Sequence, residues 1–250
     1  MTGKSGAPAA PASTELVAPV LGSGAMFDRI AARYDAMNRV LSLGLDRGWR
    51  RRTVQALHLG ERARVLDLAT GTGDLAIAIA RMHPGAEVIG LDPSPRMLAI
   101  AARKLARGGL AERVSLVTGD AQQLPYRNCE MDAATIAFGI RNVPDRRAAL
   151  REMARVVRPG GRVAVLELGE PRGGLLASAA RLHCRYVVPR LGGLLSGSRE
   201  YRYLQCSMAA FPPAAEFAEM MEGAGLHVID IVPLTFGVCT LYVATPAEEP

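Results

Sequence analysis

From Ala63 onward the chain alternates short, strongly apolar runs with amphipathic segments of helical period, and few folds accept that rhythm. Strands read at 64–68, 87–91, 114–118, 131–137 and 162–168, with helices at 74–82, 95–105 and 146–156 between them. The last of these helices is expected to stop at Pro159-Gly160-Gly161. Short β-branched or leucine-rich strands that alternate with amphipathic helices are the pattern of a parallel sheet covered on both faces. The expected fold class is therefore α/β, with a Rossmann-like sheet.

The flanks complete this frame. Ahead of it, 26–45 carries Phe27, Ile30, Ala31, Tyr34, Met37 and Leu41 at helical spacing, and 47–57 continues as a basic helix, so 25–60 reads as a helical cap. Residues 1–24 are rich in Ala, Pro, Gly and Ser, with Lys4 as their one basic residue. They read as a flexible tail rather than a signal peptide. Beyond Glu167 the alternation breaks, and 173–208 reads as an inserted helical lid interrupted by Pro189 and Gly192-Gly193. A helix at 214–223 and strands at 228–232 and 237–243 follow, the two strands close enough to pair antiparallel. One domain over 25–250, with about seven strands and the last reversed, is the expectation.

Composition removes several classes of function. The chain is 49% hydrophobic with a mean hydropathy of +0.12, yet Arg, Glu or Asp interrupts every apolar run before it reaches the ~18 residues that a membrane span needs. A net charge of +6 would suit nucleic acid, but 5% aromatics supply few stacking surfaces, and Arg50-Arg51-Arg52 and Arg146-Arg147 are short and separated. No nucleic-acid partner is expected. Cys129, Cys184, Cys206 and Cys239 form no C-x-x-C pair, which fits a reducing cytoplasm. His58, His83, His183 and His227 show no metal-ligand spacing, and no metal is expected.

The strongest local signal is Val65-Leu66-Asp67-Leu68-Ala69-Thr70-Gly71-Thr72-Gly73-Asp74, a strand ending in an acid, a glycine turn and a helix start. Gly71 and Gly73 allow a sharp turn and let a ligand lie against the main chain. The segment also satisfies the dinucleotide pattern G-x-G-x-x-G/A. Charge separates the readings: a pyrophosphate wants unopposed N–H groups, whereas Asp67 and Asp74 flank these glycines. Two carboxylates there suit a ligand carrying an ammonium and a sulfonium. The second strand ends at Asp92, about 20 residues on, where a carboxylate accepts ribose hydroxyls. The third ends in Thr118-Gly119-Asp120-Ala121, an acid for an adenine amino group with the Ala121 backbone beside the ring. A single acid at a strand end is ordinarily a solvated loop residue; three in succession on one sheet edge are not explained that way.

This set resembles the class I S-adenosylmethionine-dependent methyltransferases. Further stretches are similar to the ubiquinone/menaquinone biosynthesis C-methyltransferase family: Phe27-Asp28-Arg29-Ile30-Ala31-Ala32-Arg33-Tyr34-Asp35, Leu41 to Arg51, Phe138-Gly139-Ile140-Arg141-Asn142-Val143-Pro144, Arg158-Pro159-Gly160-Gly161-Arg162 and Tyr201-Arg202-Tyr203-Leu204 with Phe211-Pro212. Leu168-Gly169-Glu170-Pro171 departs from the Phe-Ser-Lys-Pro more usual there, and Tyr242 stands where a histidine is common.

The resemblance implies methyl transfer from S-adenosyl-L-methionine to a ring carbon of a polyprenylated quinol. Thr72, Asp92, Asp120 and Ala121 are then cofactor contacts. Arg141 and Asn142 are expected at the quinol oxygens, the first as positive charge and the second as a hydrogen bond, against the plainer readings of a solvated arginine and a capping asparagine. Tyr201 and Tyr203 are candidates to orient the ring or relay a proton. The basic, apolar stretch holding Arg181, Arg185 and Arg190 suits either a peripheral membrane contact or a lid core. A homo-oligomer is compatible with all of this. The rival readings are a methyltransferase for another lipophilic phenol or a sterol, and an NAD-dependent oxidoreductase without an antiparallel last strand.

Overall fold

The computed structural model describes residues 28, 31, 35, 39, 42–169 and 206–247. Its elements are α1 (Asp46–Ala56), β1 (Arg64–Leu68), α2 (Asp74–Met82), β2 (Glu87–Asp92), α3 (Pro95–Arg107), β3 (Val114–Thr118), β4 (Met131–Ala137), α4 (Arg146–Val156), β5 (Val157–Leu168), α5 (Ala214–Glu222), β6 (Leu226–Leu234) and β7 (Cys239–Pro246). They build one seven-stranded sheet in the order β3-β2-β1-β4-β5-β7-β6. Strands β1 to β5 run parallel, and β7 runs antiparallel to both β5 and β6. The reversed last strand bears out the methyltransferase reading over the oxidoreductase one.

Strand alternation sorts side chains into two cores. Leu66, Leu68, Leu91, Ala134, Ile136 and Val165 face α4 and α5 with Leu150, Met153 and Phe217. Val65, Val88, Ala133, Ala164 and Leu166 face the opposite layer with Trp49, Val54, Leu75 and Ile79. Each fully buried Leu or Ile contributes about 1.5–3 kcal/mol. Asp67, one position after Leu66, therefore points to the α1–α2 side. Helix α4 is capped by Asp145, whose side chain accepts the Ala148 N–H at 2.9 Å, and α3 by Ser94, which accepts the Met97 N–H at 3.2 Å.

Several boundaries differ from the sequence reading. Helix α4 ends at Val156 in extended backbone, and Pro159-Gly160-Gly161 lies inside β5 as a bulge against β4, where Met131 pairs with Val157 but Ala133 with Arg162. Gly161 is required there, since a Cβ would stand 2.5 Å from the Asp132 carbonyl oxygen. Thr235–Gly237 forms a short 3-10 turn, so β7 begins at Cys239 rather than Gly237. Asp28, Ala31, Asp35 and Arg39 are helical, but Ser42 to Leu45 form a turn with Leu43 and Gly44 at φ +51° and +76°, so the expected helix does not reach Leu45. The expected tail and most of the expected lid, with Tyr201, Tyr203 and Arg181, lie outside the described residues.

Candidate active site

The site forms where β1 and β4 lie side by side with crossovers leaving in opposite directions, the position at which open α/β sheets bind ligands. Between Leu68 and Asp74 the chain turns with Ala69, Gly71 and Gly73 at φ +47°, +57° and +82°. Helix α2 starts at Asp74 without a side-chain cap, beside an open cleft that its first residues help to line. Asp67, Gly71, Thr72, Asp74, Arg50 and Phe138 are among the residues lining it.

The two glycines do different work. A Cβ on Gly71 would meet nothing nearer than the Ala69 carbonyl oxygen at 3.9 Å, so the missing side chain leaves room in the cleft. On Gly73 it would press to 3.1 Å from the Ala101 methyl, so that glycine serves the packing of α2 on α3.

Asp67 is 1% exposed and accepts the hydroxyls of Thr70 at 2.6 Å and Thr135 at 2.8 Å. Burial pushes its carboxyl up to about 6, against the pull of those hydroxyls, Arg50 and the Ala76 N–H. Arg50 itself pairs with Asp46, stands 3.9 Å from Asp74 and lies over the Phe138 ring at 5.3 Å. Asp92 pins the turn from the neighbouring strand: its Oδ2 accepts the Gly71 N–H and its Oδ1 the Ser94 N–H, each at 2.8 Å. Burial raises its carboxyl, opposed by those two N–H groups, while Asp28 pushes it further up.

Two acids from the N-terminal segment close onto this turn. Asp35 accepts the Thr72 hydroxyl at 2.6 Å and the Lys104 ammonium at 3.0 Å, and Lys104 also pairs with Asp74. Asp28 accepts the Ser94 hydroxyl at 2.5 Å and the Arg96 N–H at 3.2 Å. Sequence reasoning quoted both acids but gave them no role, and it missed Lys104. The signal was their spacing of seven, which puts both on one helix face.

Beyond β4, Phe138 sits at φ +57° and the chain enters a 3-10 turn, Ile140–Asn142. Arg141 is held by Glu167 rather than solvated: its Nη1 donates to Glu167 Oε1 at 2.5 Å and to the Phe138 carbonyl at 2.7 Å. Asn142 Nδ2 donates to the same carbonyl at 3.4 Å. The structure thus gathers Asp67, Gly71, Thr72 and Asp92 around one turn, and joins Arg141 and Asn142 to it through Phe138. Asp120 is exposed and takes two N–H groups of Gln122, and Ala121 is buried in the core; neither lines the cleft. Among the described residues no group of His, Cys, Asp and Glu is arranged to hold a metal.

Solved structures share this architecture. A SAM-dependent methyltransferase from Aquifex aeolicus superposes with a TM-score of 0.57 at 18% identity, covering 78% of this chain and 88% of that one. The [4+2]-cyclase SpnF does so at 0.66 and 19%, covering 90% and 96%. Likeness at that identity is a statement about fold only. The model of the ubiE/COQ5 methyltransferase family, however, matches residues 21–246. The chain belongs to that family. It is 49% identical over 219 residues to the ubiquinone/menaquinone biosynthesis C-methyltransferase UbiE of Syntrophotalea carbinolica, covering 87% of this chain and 91% of that one. It is 48% identical to the demethylmenaquinone methyltransferase of Thermus thermophilus, covering 87% and 98%. As a member of the ubiE/COQ5 family it is an S-adenosyl-L-methionine-dependent C-methyltransferase.

The donor set of the cleft fits that cofactor. Asp67 and Asp74 line the cleft beside Arg50, and Lys104 pairs with Asp74, so the carboxylates balance the nearby cations and give a ligand's ammonium acceptors that a nucleotide pyrophosphate would not need. Each oxygen of Asp92 spends one acceptor site on the backbone and keeps another for a hydroxyl. Gly71 leaves space where any side chain would intrude.

Proposed function

We propose that this enzyme methylates a ring carbon of a polyprenylated quinol, demethylmenaquinol or 2-polyprenyl-6-methoxybenzoquinol. The observation that carries the reading is Phe138. It is among the residues lining the cleft, and its carbonyl accepts Arg141 and Asn142, so the donors proposed for the quinol are held next to the proposed methyl-donor site. The names of the curated relatives support the substrate class.

S-adenosyl-L-methionine supplies an electrophilic methyl when bound. Asp67 and Asp74 would hold its cationic end, Gly71 and Thr72 line it and Asp92 accept the ribose hydroxyls, while the adenine would extend past the cleft toward Asp120 and Ala121. A quinol carbon becomes nucleophilic when a ring hydroxyl gives up its proton and the charge spreads to the ortho carbon. Arg141 and Asn142 then stabilise that oxygen as hydrogen-bond donors. The buried Arg141–Glu167 pair carries no net charge, so Arg141 acts by placed N–H groups rather than as a free cation. Tyr201 would help to orient the ring.

No helix among the described residues is long and apolar enough to cross a membrane. We propose separately that the prenyl tail is met by peripheral contact at a membrane surface on the cytoplasmic side. Incubating the enzyme and cofactor with both quinols, followed by mass spectrometry, tests the reading: a methylated ring product from either supports it, and none from both overturns it.

A further inference from the structure

We propose that Glu167 is a positioning residue for methyl transfer, acting through Arg141; this deepens the quinol reading above and rests on it. Glu167 stands one position beyond the last paired residues of β4 and β5, Ala137 and Leu166. The Phe138 N–H still donates to the Leu166 carbonyl at 2.8 Å, so Glu167 lies beside the point where the chain leaves the sheet for the Arg141 turn.

Its carboxylate grips residue 141 at both ends. Oε1 accepts the guanidinium at 2.5 Å, and Oε2 accepts the Arg141 backbone N–H at 3.2 Å. Oε1 also takes the Leu168 N–H at 2.8 Å, which fixes the carboxylate to its own strand. The side chains of Glu167 and Arg141 are 0% and 7% exposed, so both ions are out of water and each depends on the other.

That arrangement is costly as a stabilising device, since a buried ion pair of this kind is often replaced by apolar residues without loss. It is well suited to aim a donor. A guanidinium on its own has several rotatable bonds and samples many positions. Held at its Nη1 by Glu167 and the Phe138 carbonyl, and at its main chain by the same carboxylate, it keeps one orientation before the ring oxygen acquires charge. Donors fixed in advance stabilise a developing oxyanion without reorganising at that moment. Glu167 touches neither ligand in this scheme; it works by where it puts Arg141.

The test is a cycle of Glu167→Gln, Arg141→Gln and the double variant, in the full chain, read by kcat, quinol KM and calorimetric binding of S-adenosyl-L-methionine. Glutamine keeps the volume, and the double variant leaves no unpaired buried charge should a single variant fold poorly. The expected result is a ten- to hundredfold fall in kcat for Glu167→Gln, with KM and cofactor affinity within about threefold, and a double variant no slower than Arg141→Gln alone. A Glu167→Gln enzyme with full kcat, or losses that multiply in the double variant, overturns the positioning role. Arg141→Gln with full kcat overturns the quinol-side reading itself.

Discussion

The hydroxyl of Thr72 donates to Asp35 at 2.6 Å across 37 positions of sequence, tying the N-terminal segment to the cofactor turn. Lys104 closes the arrangement from α3, reaching Asp35, Asp74 and the Thr72 oxygen together. Partly exposed ion pairs of this kind contribute about 0.2–1 kcal/mol each. Lys104→Met is therefore expected to weaken S-adenosyl-L-methionine binding about five- to tenfold, with Lys104→Arg recovering part of it. Calorimetry checks this, and unchanged affinity in Lys104→Met would separate the latch from the cofactor.

Asp67 links cofactor binding to pH. Its carboxyl titrates near 6 in the folded protein, and a cationic ligand favours its ionised form. Affinity for the cofactor is expected to fall as pH drops through 6. Stability moves the other way: because the folded value lies above the unfolded one, the native state binds the extra proton, and the contribution of this group shrinks as pH rises from about 4 to 6. The full swing is about 3 kcal/mol. In thermal melts, the gain in Tm from pH 4.5 to 7 should therefore be smaller in the wild type than in Asp67→Asn, which lacks the titrating group.

Gly71→Ala and Gly73→Ala should part company. Both positions are left-handed, so alanine strains each by about 1–2 kcal/mol. At Gly71 the methyl projects into the cleft, and cofactor affinity should fall at least tenfold with a small drop in Tm. At Gly73 it meets Ala101, and the larger effect should be on Tm. Equal patterns in melting and calorimetry would contradict the division of labour.

Asp92→Ala is expected to abolish detectable cofactor binding and to cost stability as well, because two backbone N–H groups lose their acceptor at about 1–3 kcal/mol each. A variant with a native Tm would mean that water replaces the carboxylate at the turn.

Much of this was legible in advance because the physics is local. Strand runs such as Val65 to Leu68 and Thr135 to Ala137 are mostly apolar, and Gly71 and Gly73 mark a strand-to-helix junction. Arg141–Glu167 was not legible, since the pair exists only once β4 and β5 are set in register. Lys104 was hidden for a related reason: a lysine on an amphipathic helix reads as solvated until Asp35 is brought to it. Pro159-Gly160-Gly161 misled because the same residues that end a helix also make a bulge, and only the neighbouring Asp132 carbonyl decides between them.

The loops that follow β1 and β4 touch at Ala69 and Gly139, and the contact couples the two positions. A side chain at Gly139 would stand 2.5 Å from the Ala69 methyl and 3.1 Å from Ile136. An alanine at 139 therefore needs a second change, Ala69→Gly, and a shift of Ile136, so the residue that one loop can carry depends on the residue in the other.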